Sequence, residues 1–188
     1  MHFEEKSSVQ LALRKIVARL EELGVPYALV GGMALFQYGY RRFTEDVDIL
    51  VTAEGLKIIH ENPEGRGYLP PFSGSKQLRD TENGVRIEFL VTGGFPGDGK
   101  PKPVAFPDPA IAGTEKNGMR CIKLENIVEM KLASGMTNAL RAKDIGDVIA
   151  LIQHLKLSSE FAERLNPYVR EKYMELWRAI QRDTSGNE

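Results

Sequence analysis

Between Ser7 and Leu23 the apolar residues Val9, Leu13, Ile16, Val17 and Leu20 recur at helical spacing, with Arg14, Arg19 and Glu21 elsewhere on the wheel. The pattern predicts an amphipathic helix capped by Ser7 or Ser8, ending at Gly24 and unable to continue past Pro26. Tyr27–Val30 reads as a short apolar strand, broken by Gly31-Gly32, and Met33–Tyr38 as a short helix. Over residues 46–51 the alternation is strict, with Asp46 and Asp48 on one face of a predicted strand and Val47, Ile49 and Val51 on the other. A helix is expected over 53–61, ahead of Pro63, followed by a Gly- and Pro-rich loop over 62–74. Lys76–Val91 has the pattern of a hairpin that turns at Asn83-Gly84 and returns along Val85–Val91.

Residues 93–109 form a second Gly/Pro-rich loop, too long for a mere connector. Met119–Lys123 is a short strand, and the remainder is helical: 124–134, 141–155, 159–165 and 167–182, with a frayed tail over 183–188. The expected fold class is therefore α/β (α+β): a mixed sheet flanked by helices over 1–123, then a C-terminal helical part over 124–188 packed on that core.

Composition narrows this picture. A chain of 188 residues, 42% hydrophobic, suits one compact domain with a small helical appendage. Chains of this length bury roughly 70% of their unfolded surface and need no covalent staples. With 25 basic and 26 acidic residues the net charge is -1, which argues against attachment to nucleic acid by bulk charge but leaves room for a local basic groove. The lone cysteine, Cys121, excludes an internal disulfide and an all-thiolate zinc site, and suggests a reducing, cytoplasmic setting. Residues 1–8 carry no targeting pattern, and the longest near-apolar run, Tyr27–Phe36, is too short to cross a bilayer. His2, His60 and His154 show no ligand spacing; His154 suits a helix C-terminus.

The chemistry concentrates in Gly31–Leu50. A strand that ends in two glycines and passes at once into a helix offers backbone N–H groups to phosphate at close range. Thirteen residues separate Gly32 from Asp46. Two carboxylates on one strand face repel each other unless a cation bridges them or a proton is shared. Hard oxygen donors of this kind suit Mg²⁺, which takes one or two carboxylates together with water and phosphate. Glu88 interrupts an otherwise apolar run and shares a face with Arg86 and Leu90; it joins Asp46 and Asp48 if the two strands are neighbours. A salt bridge from Glu88 to Arg86 or Arg79 is the competing account, as a simple turn is for the glycines. Of Arg41 and Arg42, one is expected in solvent and one near the site. Lys131 lies at the edge of the stripe Leu124, Ile127, Val128, Leu132, and either snorkels, pairs with Asp144 or Asp147, or faces a phosphate. Lys100 and Lys102 are expected in solvent, with a mobile flap as the functional alternative, and Trp177 in a core or interface with Tyr173 and Ile180.

A glycine pair opening a helix, then Asp-x-Asp, then a third carboxylate on a later strand, resembles the nucleotidyltransferase superfamily of the DNA polymerase β type. The form Gly31-Gly32-Met-Ala-Leu with Arg42-x-Thr44-x-Asp46-Val-Asp48-Ile-Leu is most similar to the small bacterial nucleotidyltransferases that include the AbiEii-type toxins. The later run Lys131, Arg141, Lys143, Asp144, Asp147 resembles the C-terminal motif of the toxin-type members. The resemblance implies that Asp46 and Asp48 hold two Mg²⁺ (or Mn²⁺) ions and that Glu88 completes the one acting on the acceptor hydroxyl. It further implies that Gly31 and Gly32 cradle the β- and γ-phosphates of a nucleoside triphosphate, with Arg42 and Thr44 in the same nucleotide site. Lys131 is implied at a nucleotide phosphate, with Asp144 and Asp147 positioning it or the acceptor. The implied reaction transfers a nucleoside monophosphate to a protein, tRNA or small-molecule acceptor and releases pyrophosphate. The alternative is a catalytically inactive nucleotide- or partner-binding module of a toxin–antitoxin system, docked to an antitoxin.

Overall fold

The computed structural model describes residues 7–62 and 66–186. The readings of residues 1–6, including His2, of the middle of the 62–74 loop at 63–65, and of the last two tail residues lie outside the described residues. The chain folds into two compact units. The first holds the described residues up to Thr92 together with Pro107–Ile122; the second holds Gly93–Phe106 and the described residues from Lys123 onward.

The first unit opens with helix α1 (Ser8–Glu22), capped by the Ser7 side chain, which accepts from the Gln10 N–H. Its predicted stripe is buried, with Ile16 and Leu20 wholly covered. Strand β1 (Ala28–Val30) runs without a loop into α2 (Gly31–Gln37), so the helix begins on the glycines themselves rather than at Met33. β2 (Asp46–Val51) and α3 (Ala53–Glu61) follow, the latter capped by Thr52. β3 (Tyr68–Leu69) and β4 (Gln77–Asp80) precede β5 (Arg86–Val91), and Gly84, at φ +70°, makes the predicted turn between the last two. A one-turn helix, α4 (Pro109–Ala112), leads to the hairpin β6 (Gly113–Lys116) and β7 (Met119–Ile122).

Among the described residues seven strands form one mixed sheet in the order β3-β4-β5-β2-β1-β7-β6. β2 lies at its centre, parallel to β5 and antiparallel to β1. The apolar face of β2 and β5 explains the placement: Val47, Ile49 and Ile87 are wholly buried and Phe89 nearly so. Each such side chain contributes about 1.5–3 kcal/mol relative to exposure. That burial fixes the pleat, and the pleat turns the acidic positions of both strands to the other face.

The second unit is helical: α5 (Leu124–Thr137), a 3₁₀ turn at Ala139–Arg141, α6 (Ala142–Leu155), a 3₁₀ segment at Ser159–Arg164 and α7 (Pro167–Ser185). Val128, Leu132, Val148, Leu151, Val169 and Tyr173 are wholly buried and form its core. Gly135 lets α5 and α6 approach, since a Cβ there would lie 2.4 Å from Ile145 Cγ1. Helix α7 runs three residues past the predicted boundary at 182. The segment 93–106 also belongs to this unit, held where Gly97 abuts Ser134 and Thr137. Contrary to the expectation of a solvated lysine, the Lys102 side chain is only 5% exposed. Its ammonium donates to the carbonyls of Pro96 and Lys100 and to Asp98, clamping the loop from within.

Candidate functional site

The parallel register of β2 and β5 sets Asp48 directly beside Glu88 and Asp46 directly beside Arg86. Residues facing each other in a parallel pair point to the same side, so Asp46, Asp48, Arg86 and Glu88 share one half-exposed face. The antiparallel pairing with β1 sets Asp48 beside Val30, at the strand end from which Gly31 departs. Gly31 has φ +63°, and a Cβ there would lie 2.1 Å from Asp48 Oδ2. A Cβ on Gly32 would lie 2.8 Å from Thr44 Cβ. The doubled glycine is therefore required by two protein side chains: it lets the Asp48 carboxylate lie against the start of α2, with Thr44 against the next residue. Thr44 Oγ1 in turn donates to the Asp46 carbonyl.

The structure thus brings Gly31, Gly32, Thr44, Asp46, Asp48 and Glu88 into one neighbourhood of the first unit. Arg41 and Arg42 line a cavity of about 480 Å³ together with Ser7, Gly32, Phe43 and Thr44. Arg41 is exposed and Arg42 half-buried, and the Arg41 guanidinium lies 5.3 Å from the Phe36 ring centroid. Phe43 is 83% exposed beside them.

Arg86 is the residue whose role sequence reasoning missed. The sequence offers it as a partner of Glu88, but its Nη2 donates to Asp46 Oδ2 at 2.5 Å, while Arg79 donates to the Gly84 carbonyl. The hydrogen bond to Asp46 and the charge of Asp46 raise the guanidinium's pKa; slight burial opposes this, and the charges of Glu88 and Asp48 add to the rise. All three carboxylates thus bear on one cation. Its sequence signal is its position two residues before Glu88, on the same face.

Among the described residues no three His, Cys, Asp or Glu side chains are gathered closely enough to hold a metal ion. The donor chemistry suits a hard divalent cation, which takes one or two carboxylates, because Asp46, Asp48 and Glu88 present carboxylate oxygens on one face. In the observed arrangement one carboxylate of this face, Asp46, is bonded to the Arg86 guanidinium.

In the second unit Lys131 donates to Asp147 Oδ2 at 2.7 Å and to Asp144 Oδ1 at 3.1 Å, so the paired reading of this lysine is the one observed. Asp144 also accepts from Ser134 Oγ at 2.6 Å and from Arg141 Nε at 2.8 Å. Burial pushes the Asp144 pKa up, but Lys131, Ser134 and Arg141 outweigh it and hold the carboxyl below its ordinary range. Arg141 belongs to the run singled out in the sequence, whereas Ser134 is a member of this cluster that sequence reasoning missed; its spacing of three from Lys131 is the available signal. Cys121 is buried and its thiol is pushed up to about 11, which leaves it inert. Trp177 donates to the Leu157 carbonyl, and Tyr173 stacks obliquely on Phe161.

No protein-family model and no curated protein sequence matches the chain. Solved structures do. A candidate nucleotidyltransferase from H. pylori is similar at 21% identity over 94% of this chain and 83% of its own, with a TM-score of 0.50. JHP933 from Helicobacter pylori is similar at 20% identity over 95% and 81%, also with a TM-score of 0.50. ANT(2")-Ia, solved in complex with adenylyl-2"-tobramycin, reaches a TM-score of 0.55 at 15% identity over 89% of this chain and 97% of its own. At these identities the likeness shows the fold: a mixed sheet flanked by helices, shared with nucleotidyltransferases. No helix among the described residues is long and apolar enough to cross a membrane.

Proposed function

We propose that the chain is a nucleotidyltransferase that moves a nucleoside monophosphate from a nucleoside triphosphate to an acceptor hydroxyl and releases pyrophosphate. The observation that carries this reading is the in-register pair of Asp48 and Glu88, with Asp46 on the same face and Gly31 abutting Asp48, within a fold shared with nucleotidyltransferases. Asp46, Asp48 and Glu88 are the residues that would hold Mg²⁺ or Mn²⁺. A divalent cation there supplies charge neutralisation for the triphosphate and acidifies the acceptor hydroxyl. Gly31 and Gly32 keep side chains away from the entering phosphates, while Thr44 fixes the Asp46 backbone and Arg42 adds positive charge beside Gly32. Lys131 is assigned to a nucleotide phosphate through the third N–H of its ammonium, with Asp144 and Asp147 holding the other two and orienting it. Residues 1–123 are assigned as the nucleotidyltransferase core and 124–188 as its helical companion.

The adenylylated aminoglycoside in ANT(2")-Ia supports a small-molecule acceptor. The AbiEii-like form of the first motif supports a macromolecular one, tRNA or protein, with an antitoxin partner and a cytoplasmic setting. A second reading, a binding module without turnover, is favoured by one observation: Arg86 holds Asp46. The deciding experiment incubates the protein with each α-phosphate-labelled nucleoside triphosphate, Mg²⁺ or Mn²⁺, and cell extract. Label is expected on one acceptor class with the wild type and on none with Asp48→Asn. Nucleotide binding without any labelled acceptor or pyrophosphate would establish the second reading instead.

A further inference from the structure

We infer that Arg86 is a built-in counter-cation of the carboxylate face, a positioning residue that competes with the divalent ion for Asp46 and so sets the metal concentration at which the site fills. The inference rests on the metal reading of Asp46, Asp48 and Glu88 given above and goes beyond it, because it assigns the adjacent arginine a role. Three features of the structure carry it. Arg86 is locked in register beside Asp46 by the β2–β5 ladder, so the pair is fixed by backbone pairing and not by a chance meeting of long side chains. The guanidinium takes one oxygen of Asp46 directly, and Glu88 and Asp48 lie on the same face of the two strands. Its side chain is 47% exposed, against 30% for Asp46, so it has a solvent side to which it can swing when a stronger cation arrives.

Competition of this kind has a defined consequence. A ligand whose site is partly closed by an internal contact binds with its affinity reduced by the fraction of open sites. A half-exposed ion pair is weak, so removing it tightens metal binding by only about two- to fivefold. A structural strut would do the opposite: its loss would loosen the strand pair and weaken the metal site.

The test measures Mn²⁺ binding directly, by the electron paramagnetic resonance of free Mn²⁺, on the full chain without nucleotide. Arg86→Gln is expected to bind Mn²⁺ about two- to fivefold more tightly than wild type. Arg86→Lys, which keeps the charge on a shorter reach, should fall between the two. Arg79→Gln removes the same charge from the position paired with Arg86 on β4, and should leave the affinity unchanged. In the wild-type chain, titration with diamagnetic Mg²⁺ should shift the Arg86 side-chain resonances in step with occupancy, a readout independent of any variant's folding. Equal or weaker Mn²⁺ binding by Arg86→Gln overturns the inference while leaving the metal site in place. Equal tightening by Arg79→Gln also overturns it, because bulk charge would then be the cause. Arg86 resonances that stay still while metal binds overturn it as well. Failure of wild type and every variant to bind Mn²⁺ at millimolar concentration would remove the metal reading itself, and the inference with it.

Discussion

Two clusters of similar composition stand in opposite conditions in this molecule. On the β2–β5 face, Asp46, Asp48 and Glu88 share half-exposed ground with Arg86. In the helical unit, Asp144 and Asp147 are 5–6% exposed and are met by Lys131, with Ser134 and Arg141 completing the shell around Asp144. The first has more acids than bases on its face and water at hand; the second is matched and closed. A matched, closed cluster resists exchange, because withdrawing one partner strands charges in a low dielectric. An acid-rich, accessible face can trade its cation. The contrast separates a group built to be kept from one built to be changed, although the sequence presents both as aspartates near a basic residue.

Substitutions can break that contrast. The largest stability effect is expected from Lys131→Met, which leaves two buried carboxylates facing each other and should cost about 3–5 kcal/mol in chemical denaturation. Asp48→Asn should instead leave the denaturation midpoint near wild type and abolish metal-dependent pyrophosphate release; wild-type-like turnover would remove Asp48 from the metal site. Gly31→Ala comes next. The backbone there is left-handed, which disfavours an L side chain by about 1–2 kcal/mol, and the new methyl meets Asp48 Oδ2. A melting curve unchanged by this substitution would show that the close approach is not rigid.

Two finer expectations concern pH. The Asp144 carboxyl is held low in the folded protein, so its contribution is complete above the unfolded aspartate value, about 3.9, and is lost as pH falls through the lower folded value. Denaturation curves taken down to about pH 2 should show this loss in wild type and a smaller one in Ser134→Ala. Glu129 is the reverse case: burial pushes its pKa up, although its Oε1 accepts the Asn166 N–H at the start of α7. Its ionised form weighs against folding above the folded value and not below the unfolded one, about 4.3. Glu129→Gln should therefore raise the melting temperature slightly at neutral pH and leave it unchanged near about pH 4. A fall at neutral pH would mean that the charge is needed at the helix start.

Strong periodicity is legible in the sequence. Strand 46–51 and helix 53–61 have the boundaries the pattern gives, because apolar residues on one face leave no competing register. The Asn83-Gly84 turn is equally clear. β3 and β6 escape a sequence reading, being two and four residues long and made in part of Gly, Thr, Glu and Lys, which carry no alternation. The common face of Asp46 and Asp48 follows from alternation alone, but that Glu88 joins them depends on the two strands being neighbours, and which residue stands opposite which depends on their register. Register is a relation between strands, so the Arg86–Asp46 contact cannot be read from either one. The glycine pair teaches a similar lesson. Its spacing suggests a phosphate cradle; that a Cβ at either glycine would also meet Asp48 or Thr44, residues 17 and 12 positions distant, is a demand of the fold that the local sequence does not carry. Lys102 looks solvated in the sequence because nothing local marks a chain that will curl around its own ammonium.

The order of the strands bears on how the molecule behaves in a crowded solution. The rim of a sheet is where a stray strand from another chain can attach, and rims that are long and apolar invite aggregation. Here the two rims are β3, of two residues, and β6, of four, which carries Glu115 and Lys116. β2 and β5, the apolar six-residue strands, have neighbours along both sides. Should the small β3 peel away, the rim it uncovers is β4, whose Arg79 and Asp80 offer charge rather than a greasy template. The segments best suited to seeding fibrils are therefore the ones that only global unfolding would release.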